Sequence, residues 1–326
     1  VGADFDAGVS ELHAKIVLLY ENEAGKALCD TASRIIAEAA VSFGHTFTLP
    51  VRRCPAQDTV PDDVLELCAQ SQGIIAASAD MRCLPDLAAE LLCTCRVREL
   101  RYAHLIQNRS LTGENRPLNT LLIQALSADA DALRDTARRA YAISAEENLP
   151  ILQTPPAGKL AQDWKAAVGA ADSLRAPFHA REIALADVIP MMINQPERLG
   201  VLLCPPYAGA ILAPAAGALC GAPGINYDIY LGGECPLCAP LEQNDNALRD
   251  QLNPFGLLRA IEHVLREGMH LEREAACIEA SMRNVLQAGW RTGDIALPDT
   301  PPLQMNGVTE LICEQIEVAG EWITHE

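Results

Sequence analysis

Apolar positions along the chain fall into short blocks separated by stretches with a helical repeat. Lys15-Ile-Val-Leu-Leu-Tyr20 is a compact block of β-formers that stops in a polar turn around Glu21 to Gly25. Leu28, Ala32, Ile35, Ile36, Ala39 and Ala40 then recur at helical spacing, and Gly44 closes that helix. Residues 45–51 predict a second strand, Pro61 opens a helix running to Ala69, residues 73–78 predict a third strand, and residues 85–92 another helix. Strand alternating with helix predicts an α/β lobe on a largely parallel sheet.

Further strands are predicted at 100–106 and 120–126, then a helix over 130–146. Val201-Leu-Leu-Cys204 is apolar on both faces, as a central strand is, and an Ala-rich helix follows Pro205-Pro206 to Leu219. Beyond Asn253-Pro254 the pattern is helical over 255–267, 271–287 and 308–318. Residues 220–253, rich in Gly, Pro and Asn, read as a long irregular connection.

With 326 residues, 49% of them apolar, the chain can bury one large core or two moderate ones. A formal charge of −18 argues against a nucleic-acid binder, which carries a basic face. The 12 Cys, dispersed from Cys29 to Cys313, read as free thiols in a reducing compartment, a mitochondrial matrix or cytoplasm. No apolar run reaches the roughly 18 residues that cross a bilayer, so the chain is expected not to span a membrane. It opens on Val1, and nothing up to Lys15 reads as a signal or transit peptide.

Isolated features have plain readings. Cys235-Pro-Leu-Cys238 lies in a Pro- and Gly-rich stretch and reads as unpaired loop thiols rather than a redox or zinc pair. His45, His104, His179 and His263 lack metal-ligand spacing and read as surface or boundary residues. Glu21 and Glu23 read as solvated carboxylates, and Met191-Met192 as core filling.

Several segments in order resemble the isocitrate and 3-isopropylmalate dehydrogenase family. They are the opening strand with Gly25, Arg96 followed by Tyr102-Ala103, Arg138-Arg139-Ala140-Tyr141, Asn194-Gln195-Pro196 with the strand and helix after it, Asn253-Pro254, Ala288-Gly-Trp-Arg-Thr-Gly-Asp-Ile295, and Gly307-Val-Thr-Glu310. The resemblance implies an α/β, two-lobed fold with the active site between lobes. Residues 1–103 plus 225–326 form the larger lobe and residues 104–224 the smaller one. Only residues 125–134 stand where the family carries a long insertion with its catalytic Tyr, so the interlocking arm between subunits is expected to be deleted.

The family oxidises a 2-hydroxy acid with NAD or NADP and decarboxylates it, using three Asp around Mg²⁺ or Mn²⁺, a Lys, a Tyr and three Arg. By the resemblance, two of the Asp fall on Ala210 and Pro214 and the third on Ala186, beside Asp187. The Lys falls on Thr154, with Lys159 the nearest alternative. Of the three Arg, Arg96 remains and the others fall on Ile106 and Gln124. The nucleotide turn reads Glu21-Asn-Glu-Ala-Gly25, and Glu234 and Asn253 match the nucleotide-contacting segments.

The expectation is therefore a catalytically inactive homologue with no metal, no cofactor and no catalytic residue. Arg96, Glu234 and Asn253 are its vestigial cleft positions, with Arg96 either binding an anion or closing a salt bridge. Such a chain would serve as a structural or regulatory subunit among other protein subunits, either an active paralogue or an unrelated assembly. The alternatives are a metal-free enzyme or small-molecule sensor in the old cleft, and an active isocitrate- or isopropylmalate-type dehydrogenase.

Overall fold

The computed structural model of the chain describes residues 12–100, 118–173, 178–220, 223–241, 252–296 and 301–324. β1 (His13–Tyr20) pairs in parallel with β2 (Thr46–Thr48), β3 (Val51–Arg53) and β4 (Gly73–Ala76). The single strand predicted over 45–51 is two, because Pro50 has no N–H to give the ladder and offers only its carbonyl, to Leu18 N at 3.0 Å. Between β1 and β2 runs α1 (Glu23–Phe43), capped by the Asn22 side chain on Gly25 N at 2.8 Å and ended by Gly44 at φ 74°. The short helices α2 (Asp62–Ala69) and α3 (Leu84–Glu90) flank β4.

The chain continues through β5 (Cys95–Leu100), β6 (Thr120–Ala125), α4 (Ala130–Glu146), β7 (Ile151–Gln153), α5 (Leu160–Asp172), β8 (Arg181–Glu182), α6 (Leu185–Asn194), β9 (Val201–Cys204) and α7 (Pro206–Leu219). Residues 126–129 link β6 to α4, with the Asp129 side chain accepting from Asp131 N and Ala132 N. A hairpin of β10 (Tyr227–Leu231) and β11 (Leu237–Pro240) comes next. The chain ends in α8 (Phe255–His263), a π turn at Val264–Gly268, α9 (Glu272–Gln287) and α10 (Met305–Thr324).

One sheet runs β2-β1-β4-β11-β10-β5-β6-β9-β7-β8, with β3 beside β1. Its flanks are parallel, but β10 is antiparallel to both neighbours and β5 is antiparallel to β6. Two expectations are corrected here. The stretch 220–253 is not wholly irregular, since it supplies β10 and β11 at the sheet's centre. The strand expected at 100–106 lies at Cys95–Leu100, and residues 101–106 fall outside the described residues.

On one face of the sheet α1, α4, α5 and α8–α10 enclose a single large core holding Ile35, Ile123, Trp164, Phe255 and Leu258. On the other face there are two cores. Val17, Ile74, Leu84 and Leu87 pack under α2 and α3. Leu122, Val188, Met192 and Leu212 pack under α6 and α7. Between these two cores β10 and β5 present polar side chains.

Candidate functional site

Alternation along β5 sends Arg96 and Arg98 to the face that carries the two separate cores, and sends Val97 and Glu99 to the other. Strand register sets Arg96 between Tyr230 of β10 and Gln124 of β6, and sets Arg98 beside Asp228. Arg98 clamps the fully buried Asp228 with two hydrogen bonds of 2.7 Å, Nε to Oδ1 and Nη2 to Oδ2. Burial alone would lower the Arg98 pKa, but Asp228 outweighs it and holds the guanidinium above its ordinary value. Burial, then the Asp228 charge, pushes the Tyr230 phenol upward.

Arg96 is the more open of the two arginines, its side chain 18% exposed. Its Nη1 lies 3.5 Å from Asp228 Oδ2, and its Nη2 donates to Gln124 Oε1 at 2.5 Å. The Arg96 Nε has no hydrogen-bond partner among the described residues. Gln124 passes the constraint on, since its Nε2 donates to Pro206 O at 2.8 Å. Gly209 in α7 makes that fit possible: a Cβ there would lie 2.3 Å from Gln124 Cγ. Two guanidinium groups share the Asp228 carboxylate, and the charge of Asp80 also acts on Arg98.

The positions that the resemblance assigned to chemistry carry other side chains and lie on several elements. Ala210 and Pro214 lie one turn apart on the exposed face of α7, and Ala186 and Asp187 are exposed on α6. Thr154 is buried just past β7 with no hydrogen-bond partner for its hydroxyl among the described residues, and burial pushes the Cys204 thiol up to about 12. Lys159 is exposed, and Ile106 falls outside the described residues. Among the described residues no three His, Cys, Asp or Glu are grouped to hold a metal ion. A hard divalent cation does not fit methyl groups and a pyrrolidine ring.

The β1–α1 turn does not fit a dinucleotide phosphate either. Gly25 N is taken by Asn22, Glu21 accepts from Arg82 N at 3.0 Å, and Glu23 adds a carboxylate to the first turn of α1. Glu234 is exposed in the β10–β11 connection. Asn253 is buried and structural, its Oδ1 accepting from Phe255 N at 2.9 Å while its Nδ2 donates to Asp294 at 2.8 Å. Glu234 and Asn253 therefore do not join Arg96 in one polar cluster.

Other expectations are amended. Cys238 is no loop thiol but a fully buried residue of β11, while Cys235 is partly buried, and both are free. His45 is buried and bonds Glu274 at 2.8 Å. The Nε2 of His263 is buried, and burial lowers that ring's pKa to about 4. His179 is exposed as expected, resting on Asp172 at 3.0 Å, and His104 lies outside the described residues. Met192 is fully buried in the α6–α7 core. Asp228, Tyr230 and Arg98 were not singled out by sequence reasoning, and the only signal for them was two charges alternating along what became β5.

The sheet and its flanking helices define an α/β protein built on the isocitrate dehydrogenase fold. The structure superposes on the crystal structure of isocitrate dehydrogenase from Methylococcus capsulatus with a TM-score of 0.76 at 15% identity, covering 93% of this chain and 99% of that one. It also matches the TT0538 protein from Thermus thermophilus, with a TM-score of 0.75 at 14% identity, covering 93% of this chain and 68% of that one. The family described as isocitrate/isopropylmalate dehydrogenase matches residues 159–316.

The 3-isopropylmalate dehydrogenase of Parasynechococcus marenigrum is 29% identical over 56% of this chain and 51% of its own length. That of Halalkalibacterium halodurans is 22% identical over 94% of this chain and 99% of its own length. The chain spans about half the length of the first of these curated relatives. The matched domain, these relatives and the shared fold together support the isocitrate/isopropylmalate dehydrogenase family for this chain. The expectation that it is not an enzyme is corrected: relatives matching up to 94% of the chain carry the name of an enzyme.

Proposed function

We propose that this chain is an enzyme of its family that holds a small hydroxy acid by its carboxylate on Arg96, and acts on it without the family's divalent cation. One observation carries the reading: a part-exposed guanidinium held by Gln124 beside the Arg98–Asp228 pair. A carboxylate would dock on the exposed edge of that guanidinium. Arg98 and Asp228 fix the floor, and Gln124 sets the Arg96 plane. The residues at 186, 210 and 214 offer no oxygen ligand, which favours chemistry that leaves the cation out.

The reaction in the relatives' names gives the assay. NAD⁺ and NADP⁺ reduction is followed with isopropylmalate and isocitrate, with Mn²⁺ or with a chelator. Turnover that survives the chelator is expected, and Arg96→Gln should raise KM about thirtyfold, the loss of one charge-assisted contact. The reading falls if neither acid is turned over and neither shifts the unfolding temperature. The 12 thiols, all free, favour a reducing compartment such as a mitochondrial matrix or cytoplasm. No described helix is long and apolar enough to cross a membrane.

A second reading concerns assembly and rests on α7, which has no charged side chain. It exposes Tyr207 (74%) and Ile211 (40%) near Ile193 of α6 (40%), an apolar face suited to another protein chain. Light scattering after size exclusion should give a mass above the 35.1 kDa of one chain.

A further inference from the structure

The reverse face of the central strands holds a cavity of about 560 Å³ that the cleft does not use. Its floor is apolar, made by Val97, Leu121, Ile229 and Leu231. One bank is α4, and the other is α8 with its π turn. Each arginine on the banks is already matched. Arg138 and Arg139 bond Asp135 at 2.6 and 2.7 Å, Arg259 bonds Glu99 and Glu262 at 2.9 and 2.5 Å, and Arg266 bonds Glu262 and Glu272.

The carboxylates are not all matched. Glu146 on α4 and Glu267 on the π turn line opposite banks, both exposed, with no hydrogen bond or ion pair among the described residues. His263 also lines the cavity, and its buried Nε2 has no hydrogen-bond partner. Two unmatched carboxylates across an apolar floor, with an unpartnered buried imidazole nitrogen on the α8 bank, ask for an elongated organic cation.

We propose that this cavity binds a small linear diamine, its methylenes on the Val97–Leu121–Ile229–Leu231 floor and its ammonium ends on Glu146 and Glu267. The site lies behind β5 from Arg96 and does not depend on what the cleft does.

Calorimetric titration at fixed ionic strength tests it, with 1,3-diaminopropane, putrescine and cadaverine as probes, and butylamine and MgCl₂ as controls. Saturable binding is expected, with one of the diamines at least tenfold tighter than butylamine, because the monoamine reaches only one carboxylate. Glu146→Gln and Glu267→Gln should each weaken it about tenfold, one charge-assisted contact apiece. Both side chains are exposed, so the unfolding midpoint without ligand should not move. Arg96→Gln should leave diamine binding intact, which separates this site from the cleft. Diamines binding no tighter than butylamine or Mg²⁺, or binding unchanged in the double variant, would overturn the proposal.

Discussion

Asp228 is fully buried between Arg98 and Arg96, in a strand at the centre of the sheet. A carboxylate there is tolerable only because it accepts both hydrogen bonds that Arg98 donates. Removing one partner strands the other charge, so Asp228→Ala should cost about 3–5 kcal/mol in urea unfolding. Replacing both, as Arg98→Met with Asp228→Leu, should cost clearly less, and equal losses would show that the pair is not the reason. His263 makes a different residue-scale prediction. Burial lowers its pKa to about 4, so the folded ring stays neutral where the unfolded one, near 6.5, takes up a proton. Its contribution is whole above pH 6.5 and is lost as pH falls toward 4. Wild type should lose about 2 kcal/mol more than His263→Phe across that window.

At the scale of elements, α7 shows how a helix can set a side chain on a neighbouring strand. Alanine favours helix over glycine by about 1 kcal/mol, so Gly209→Ala would stabilise an isolated α7. In the protein the new Cβ would lie 2.3 Å from Gln124 Cγ, while Gln124 is tied to both Arg96 and Pro206. A net loss of about 1–3 kcal/mol is expected on chemical unfolding. A gain in stability would mean that Gln124 moves aside freely.

The elements legible in the sequence are those whose pattern is simple. α4 is bounded at Ala130 and Glu146 and β9 at Val201 and Cys204 in sequence and structure alike, because a clean helical period and an unbroken apolar block each admit one reading. β5 and β10 escape the pattern for one physical reason. Arg96, Arg98, Glu99 and Asp228 are charges in buried strands, and only partners far along the chain make them tolerable there. The candidate site is legible in the sequence only at Arg96, the one assigned position that joins the polar strip. Its polar floor is not, because the Arg98–Asp228 pair spans 130 residues.

At the scale of the whole molecule, the thiols report how completely this acidic chain closes around its cores. Nine of the 12 cysteines are buried and three, Cys235, Cys277 and Cys313, are partly buried. Burial also suppresses the reactive thiolate, pushing Cys29, Cys68 and Cys95 up to about 12 and Cys93 to about 11. Cys83 is the exception, lowered by its hydrogen bond with Cys54, yet it is fully buried, so access sets the order of reaction. An aromatic disulfide reagent at neutral pH should label at most three thiols per folded chain quickly, and all 12 once the chain is unfolded in guanidinium. Serine at positions 235, 277 and 313 together should abolish the fast phase without moving the slow one. A fast phase larger than three would mean that the cores under α2–α3 or α6–α7 open readily, and that the cleft between them is not the fixed floor on which Arg96 depends.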